Sequence, residues 1–171
     1  WCEGARHTGG IASLVPLHVV LVHWNQPDAC AVTVGDFLAQ GVRVALTVVD
    51  NCSREPERAR LHDLLDAVDD VTIVEVDSNL GFGGGANVGL RRWLDDPAGS
   101  EWALLAPHDA HPMDGCIRQL MLAVEAEPMA GLACADVGDG HIPVLDAYFG
   151  GITMEGSPSP GWQPADYPHG T

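Results

Sequence analysis

The sequence predicts an α/β fold with a mostly parallel sheet and helices on both faces. Short valine-rich apolar runs alternate with helix-like segments from residue 17 to about 135. The connections between them are short, as expected when helices link parallel strands. Polar residues also gather directly after each apolar run, and parallel sheets bind ligands at that edge.

Five segments have the composition of strands. Most are short apolar runs without polar alternation, a pattern typical of strands buried on both faces. The predicted strands are Leu17–Val22, Val42–Val49, Val71–Val76, Trp102–Ala106 and Gly131–Ala135.

Four helices are predicted between these strands. Asp28 is expected to cap the first and Ser53 the second, since short polar side chains favour the N-cap. Gly41 is a plausible end of the first helix. Residues 81–85 are interpreted as a glycine loop before the third helix, and residues 113–127 as the fourth. The apolar positions expected on these helices are Val32, Phe37 and Leu38; Leu61, Leu64 and Leu65; Leu90, Trp93 and Leu94; and Ile117, Leu120, Met121 and Val124.

The 171 residues suit one α/β domain. We expect residues 1–16 to be a flexible lead-in and residues 17–171 to form a single domain. Residues 137–171 are rich in glycine and proline and are predicted to be irregular. A long structureless segment at the end of a compact domain suggests that the domain is incomplete at its C-terminus.

The charge balance excludes some classes of partner. The formal net charge is −16, from 24 acidic and 8 basic residues. Such a surface repels nucleic acid and anionic membranes.

The five cysteines are odd in number, and no two of them form a C-x-x-C pair, which favours reduced thiols in a cytoplasmic protein. No apolar run is long enough to span a membrane.

The polar residues that follow the first four strands are the candidate functional residues. Because these strand ends meet at one edge of a parallel sheet, they are expected to form one site. The four groups are His23-Trp24-Asn25, Asp50-Asn51, Asp77-Ser78-Asn79 and Pro107-His108-Asp109.

The stretch from Asn79 to Gly89 has three interpretations. Gly81, Gly83 and Ala86 match the dinucleotide pattern G-x-G-x-x-A, which would suggest a Rossmann-type oxidoreductase, although that pattern normally follows the first strand. A second interpretation is a tight strand-to-helix turn that requires positive φ angles. The third interpretation draws on the residues that surround the glycines.

The third interpretation rests on a resemblance. Val20-Leu21-Val22-His23-Trp24-Asn25, Val48-Val49-Asp50-Asn51-Cys52-Ser53, Asn79 to Gly89 and Leu104-Leu105-Ala106-Pro107-His108-Asp109 occur in order. Together these blocks resemble the N-terminal part of family 2 glycosyltransferases, which have the GT-A (Rossmann-like) fold. The similarity is greatest to the rhamnosyltransferase-like branch, and it covers residues 17–135.

The resemblance implies roles for the matching residues. His23, Trp24 and Asn25 would line the nucleotide base, and Asp50 would accept a hydrogen bond from its imide N–H. A structural alternative for Asp50 is a turn residue that caps the next helix. The residues implied to shape or support the sugar-nucleotide cleft are Asn79, Gly81, Gly83, Gly84 and Asn87; Asn87 alternatively is an ordinary residue of the first helical turn.

Asp109 matches the last carboxylate of the family's D-x-D-like motif, which would hold Mg²⁺ or Mn²⁺ against the diphosphate. The chain departs from the family here, because Pro107 and His108 stand where an Asp or Asn is usual. His108 would then be an additional ligand, a donor to phosphate, a replacement for the metal or an inert surface residue. A zinc site with His111 lacks further ligands at suitable spacing.

The reaction implied by the resemblance is inverting transfer of a sugar from a nucleoside diphosphate to an acceptor hydroxyl. The donor would be dTDP-rhamnose or a UDP-sugar, and the acceptor a sugar, lipid or polysaccharide in cell-wall or polysaccharide biosynthesis. The expected location is the cytoplasm, with a peripheral position at the inner face of the membrane as an alternative. No carboxylate of this chain matches the family's general base, so the base is expected beyond residue 171, and this chain is expected to bind without transferring. The alternative is a catalytically silent nucleotide-binding or scaffolding module.

Overall fold

The computed structural model describes residues 16–96 and 99–135 and the backbone of residues 144–145 and 152–153. These residues form two compact units. The first contains residues through Leu38 together with Val42–Ala110, and the second contains Ala39–Gly41 and the residues from His111 onward.

The first unit is a parallel sheet with its crossover helices. All four of its strands are parallel and lie in the order β3-β2-β1-β4. The predicted α/β class with a parallel sheet is therefore confirmed. The elements are β1 (Leu17–His23), α1 (Pro27–Leu38), β2 (Val44–Asp50), α2 (Glu55–Leu65), β3 (Val71–Glu75), α3 (Gly81–Leu94) and β4 (Ala103–Pro107).

The central strand β1 is covered on both faces. On one face the glycines of α3 lie against it, Gly85 beside Val22 and Gly89 beside Val20. Val19 and Leu21 alternate with these residues and are fully buried on the other face. Helices α1 and α2 pack against each other. Right-handed crossovers place them on the face opposite α3, since the chain reverses direction across the sheet after β3.

Three helices begin differently from the prediction. Helix α1 begins at Pro27, so Asp28 is a first-turn residue and not the cap; proline suits this position because its missing N–H would be unpaired there anyway. Helix α2 begins at Glu55 and has no side-chain cap. Residues 81–85 are the first turn of α3 and not a loop before it, and within them only Gly81 has a positive φ.

The apolar faces were only partly predicted. Val32 was expected to be buried but is 56% exposed. A helix that begins at Pro27 and buries Cys30 also buries positions three, four and seven residues further on, which are Thr33, Val34 and Phe37. Leu94 is likewise exposed at the end of α3.

The predicted fifth strand is wrong, because residues 131–135 are not in a strand. This segment consists of small residues and one leucine, without the β-branched or aromatic residues that favour strands.

The second unit contains α4 (Cys116–Ala126) and two short antiparallel strands, β5 (Val144–Leu145) and β6 (Ile152–Thr153). Gly115 precedes α4 with φ +77°, and the Gln40 side chain accepts a hydrogen bond from the Ile117 backbone N–H at 3.4 Å. The two strands lie in the segment predicted to be irregular; the rest of residues 136–171, and the lead-in up to residue 15, fall outside the described residues. No helix in residues 16–96 and 99–135 is long and apolar enough to cross a membrane.

The close approach of α3 to β1 gives a stability prediction. A Cβ added at Gly89 would overlap the Val20 side chain, whereas one added at Gly83 would meet nothing within 4 Å. We expect Gly89→Ala to lower the free energy of unfolding by about 1–3 kcal/mol through overpacking. We expect Gly83→Ala to leave it unchanged or raise it by up to about 1 kcal/mol, since alanine loses less backbone entropy than glycine when it adopts a helical conformation. Urea denaturation midpoints test both, and equal midpoints for the two variants would contradict this packing.

Candidate functional site

A cleft of about 300 Å³ lies at the carboxyl edge of the sheet, beyond the ends of β1, β2 and β4 and at the start of α3. This is the edge at which open parallel sheets bind ligands. Hereafter "the cleft" means the space lined by Val22, Trp24, Asn51, Asn79, Gly81, Phe82, Pro107 and His108.

The structure brings some of the predicted site residues together and not others. Six of them line the cleft: Trp24, Asn51, Asn79, Gly81, Pro107 and His108. Gly83, Gly84 and Asn87 lie further along α3 and are not part of the cleft wall. His23 and Asp50 are buried, Asn25 lines a separate depression, and Asp109 is exposed after β4.

Trp24 gives the cleft an accessible aromatic wall. Its side chain is 49% exposed although it directly follows a buried strand. The turn after it requires Asn25 to adopt a left-handed conformation, φ +56°, which asparagine tolerates better than most residues. The backbone N–H of Asn25 donates to Ser53 Oγ at 2.9 Å, and the Asn25 side-chain oxygen accepts from the Arg54 N–H at 2.8 Å.

A buried charged cluster lies beneath this turn; we call Asp50, His23, Ser53 and Arg58 the Asp50 cluster. Asp50 Oδ1 accepts hydrogen bonds from the Ser53 hydroxyl and from His23 Nδ1, the latter at 3.1 Å. Asp50 Oδ2 lies 3.5 Å from Arg58 Nε and 3.4 Å from the Ser53 backbone N. The Asp50 side chain is 1% exposed, so its carboxylate oxygens interact with groups of the protein and not with solvent.

The hydrogen-bonding roles of the two His23 ring nitrogens follow from their neighbours. The backbone N–H of Gln26 donates to His23 Nε2 at 3.1 Å, so Nε2 carries no hydrogen. The hydrogen therefore sits on Nδ1, which donates to Asp50. His23 thus donates from Nδ1 and accepts at Nε2, and it links the carboxylate of Asp50 to the backbone two residues after Trp24.

The pKa of Asp50 is shifted by opposing effects. Burial raises it, since a carboxylate loses hydration inside the protein. Hydrogen bonds from His23 and Ser53 act in the other direction and prevail, so the pKa of Asp50 lies below its ordinary value. The carboxylate is therefore ionised near neutral pH.

The opposite wall of the cleft depends on Asn51. Its side-chain oxygen accepts from the Leu80 backbone N–H at 2.9 Å, and its amide nitrogen donates to the Gly81 carbonyl at 3.1 Å and to Asn79 Oδ1 at 3.2 Å. Asn79 Oδ1 also accepts from the Gly81 N–H at 2.9 Å. Gly81 has φ +71°, a conformation that a residue with a Cβ rarely adopts. Three residues thus shape the start of α3, whose N-terminus opens toward the cleft and favours negative charge.

His108 contributes a ring with one uncommitted nitrogen. Its Nδ1 donates to the Val22 carbonyl at 3.1 Å, while its Nε2 is buried and has no hydrogen-bond partner. The ring stands edge-on to that of His23, with centroids 5.5 Å apart. The backbone carbonyl of His108 accepts from Thr33 Oγ1 at 2.7 Å, so α1 fixes the end of β4.

Asp109 is the residue to which the family resemblance assigned a metal ion. It directly follows His108 of the cleft wall, and its side chain is exposed. Residues 16–96 and 99–135 contain no group of three or more His, Cys, Asp or Glu side chains that could hold a metal ion. One carboxylate fits a magnesium-type ion only when phosphate oxygens and water supply the remaining ligands, which is the usual arrangement at phosphate sites.

A second depression, of about 450 Å³, lies where α1 and α2 begin. Its ion pair joins Arg60 and Asp28 at 2.9 Å. Its lining residues are Asn25, Gln26, Pro27, Asp28, Ala29, Pro56, Glu57 and Arg60.

Sequence reasoning did not foresee how three residues organise the site. Asn51 had been noticed only as part of a polar strand end, Ser53 was expected to cap α2, and Arg58 was not singled out. The usable signal was weak, because each acts through long-range contacts. Arg91 and Arg92 follow the glycines of α3 in the chain. Both lie in the last turn of α3. Burial and the charge of Arg92 lower the pKa of His18, which lies at the start of β1, at the far end of that strand from the cleft.

No protein-family model and no curated protein matches the chain. Among solved structures, the S. aureus protein TarS is similar with a TM-score of 0.55 and 15% identity, over 74% of this chain and 24% of TarS. TarS residues 1–349 give a TM-score of 0.53 and 14% identity, over 77% of this chain and 42% of that one. This chain therefore spans less than half of either structure.

A third similar structure is the mannosyltransferase PcManGT from Pyrobaculum calidifontis in complex with GDP-Man and Mn²⁺. Its identity is 16% over 58% of this chain and 29% of that chain, and its TM-score of 0.47 is too low to bear on the fold. The similarity to TarS shows, for the fold alone, that the described sheet and helices have an α/β, Rossmann-like architecture of the GT-A type.

The lowered pKa of Asp50 predicts an acid-dependent contribution to stability. An aspartate in the unfolded chain has a pKa of about 3.9, and the pKa of Asp50 in the folded protein is lower. Asp50 therefore stabilises the fold above about pH 4, and this contribution is lost as the pH falls through the folded pKa.

Asp50→Asn should accordingly be less stable than the wild type at pH 6, and the difference in free energy of unfolding should narrow below about pH 4. Urea denaturation of both proteins across this range measures the difference. A gap that stays constant down to pH 2 would contradict a lowered pKa of Asp50 in the folded protein, because linkage requires the gap to shrink below about pH 4.

Proposed function

We propose that this chain is the nucleotide-binding part of a GT-A glycosyltransferase similar to family 2, and that its cleft binds the nucleoside diphosphate of a sugar donor. The observation that carries the proposal is the position of the cleft. An aromatic wall, a pair of asparagines and the N-terminus of α3 meet at the carboxyl edge of the parallel sheet.

The base would stack on Trp24, the one large aromatic wall that projects from the end of β1. Stacking of a base on an aromatic side chain is worth about 1–3 kcal/mol. We take dTDP-rhamnose as the first donor to test and UDP-sugars as the next, since the sequence blocks resemble the rhamnosyltransferase-like branch.

The diphosphate would lie toward the start of α3, beside Asn79 and Gly81. Backbone N–H groups at a helix N-terminus suit anions, so this part of the surface favours a phosphate locally although the chain's net charge is −16. His108 would donate to a phosphate oxygen from Nε2 only when the ring carries a second proton, since Nδ1 already donates to the Val22 carbonyl, and the ring would have to move because Nε2 is buried.

A divalent cation, Mg²⁺ or Mn²⁺, would be held by Asp109 and by the donor's phosphates. When bound, it neutralises charge that develops on the leaving diphosphate. The proposed reaction is inverting: the acceptor hydroxyl attacks the anomeric carbon as the bond to the diphosphate breaks. The acceptor is a hydroxyl of a sugar, lipid or polysaccharide.

A catalytically silent nucleotide-binding module is the second candidate. It is favoured by Pro107 and His108, which stand before Asp109 where a second carboxylate would help to hold the metal. The two candidates share the cleft and differ in the role of the metal.

Nucleotide binding tests the shared part of the proposal. The 171-residue chain should bind dTDP or UDP, and Trp24→Ala should weaken binding about 5- to 100-fold through lost stacking. Leu94→Ala, at an exposed residue at the far end of α3, is the control and should bind as the wild type does. Calorimetric titration measures these affinities. Absence of binding to both nucleotides in the wild type would refute the proposal.

Metal dependence separates the two candidates. For the transferase, Mn²⁺ should strengthen dTDP binding, and Asp109→Ala should abolish that gain while leaving metal-free binding nearly intact. Asp95→Ala removes an exposed carboxylate at the other end of α3 and should keep the gain. Identical affinities with and without Mn²⁺ in the wild type would favour the silent module.

A further inference from the structure

We infer that Asp50 is a positioning residue: acting through His23 and Ser53, it holds the turn that presents Trp24 to the cleft, and it does not touch the ligand. This inference rests on the proposed function only for what the cleft binds. The arrangement itself is a property of the chain without ligand.

The first step is access. The Asp50 side chain is 1% exposed, and both oxygens already face protein groups. Oδ1 faces His23 Nδ1 and the Ser53 hydroxyl, and Oδ2 faces the Ser53 backbone N–H and the Arg58 guanidinium. A ligand that took a hydrogen bond from this carboxylate would have to displace one of these partners and leave it unpaired inside the protein, which is costly.

The second step is the route from Asp50 to the turn. Two of its partners each bind a backbone N–H on the far side of Trp24. Ser53 Oγ accepts from the N–H of Asn25 at 2.9 Å, and His23 Nε2 accepts from the N–H of Gln26 at 3.1 Å. Asp50 orients both acceptors, because it takes the hydroxyl hydrogen of Ser53 and the Nδ1 hydrogen of His23. Their remaining lone pairs then face the turn.

The third step is the unfavourable backbone conformation of the turns that Asp50 stabilises. Asn25 has φ +56° and the neighbouring Cys52 has φ +61°, so both turns are in a region that residues with a Cβ seldom adopt. Trp24 itself is half exposed, so its position depends on the backbone that carries it. A loosened turn would leave the indole without a defined place, and ligand binding would have to supply the lost order.

Asp50→Asn is the informative variant, because it keeps the shape and removes the charge. We expect it to weaken UDP binding about three- to tenfold, within the range that the loss of stacking allows. Because Asp50 acts through Trp24, the double variant Asp50→Asn/Trp24→Ala should bind UDP within about twofold of Trp24→Ala alone. Additive losses would overturn the inference, as would unchanged binding in Asp50→Asn.

The ligand itself separates positioning from direct contact. A carboxylate that accepts the imide N–H of uracil would make Asp50→Asn harmful for UDP and harmless for 3-methyl-UDP, which lacks that hydrogen. Positioning predicts the same fold-loss for both nucleotides. A loss confined to UDP would overturn the inference.

A measurement without ligand keeps this inference distinct from the proposed function. In Asp50→Asn, amide hydrogen exchange should accelerate at least about tenfold at Asn25 and Gln26, while amides of β2 keep their protection. Asp95→Asn, an exposed carboxylate outside the cluster, should change neither amide. If the wild type binds no nucleotide, the proposed function fails but the exchange result still decides the role of Asp50; unchanged exchange at both amides overturns it.

Ser53→Ala serves where Asp50→Asn does not fold. It removes the acceptor of the Asn25 N–H and leaves the Asp50 charge with His23 and Arg58. Exchange should then accelerate at Asn25 and much less at Gln26, whose acceptor His23 remains. Equal acceleration at the two amides, or none, would contradict the separate routes through Ser53 and His23.

Discussion

The buried Asp50 carboxylate is the interaction on which the rest of the site depends. Burying a charge without partners costs several kcal/mol, so the surrounding groups have to supply hydrogen bonds and an opposite charge. His23 comes from the end of β1, while Ser53 and Arg58 follow β2. Satisfying one carboxylate therefore ties the ends of two neighbouring strands together and sets the geometry of the turns that leave them.

Consecutive residues at the end of β2 serve the two sides of the site. Asp50 lies on the side of α1 and organises the turn after β1, whereas Asn51 reaches the start of α3 and organises the turn after β3. Successive side chains of a strand point to opposite faces, so adjacent residues can support opposite walls of one cleft. Trp24 on one wall and Gly81 on the other are thus held by the same strand end.

The glycines of α3 have a different purpose from the one their spacing suggests. Gly85 and Gly89 allow the helix to lie against Val22 and Val20, which brings its N-terminus to the sheet edge. Gly81 supplies a left-handed turn at the helix start. Close packing therefore explains glycine at positions 85 and 89, and a positive φ angle explains glycine at position 81. Both features place the positive end of the helix at the cleft.

The sequence by itself determined the four parallel strands of the first unit and the edge at which polar residues gather. Both follow from local properties: buried parallel strands read as apolar runs, and their carboxyl ends share one edge. Trp24, Asn79, Gly81 and His108 could be placed there for that reason. Residues 131–135 were wrongly predicted as a strand because a short apolar run carries little information about pairing.

Only the tertiary structure decided what each polar side chain does. Asp50 and Asn51 are neighbours in the sequence, but one is buried in a charged cluster and the other lines the cleft. Ser53 is a residue type that favours helix N-caps, but its hydroxyl instead donates a hydrogen bond to Asp50 Oδ1. A buried carboxylate is stable only when such donors surround it. Hydrogen-bond partners 27–30 residues apart in the chain are set by strand register and packing, which no local pattern of residues records.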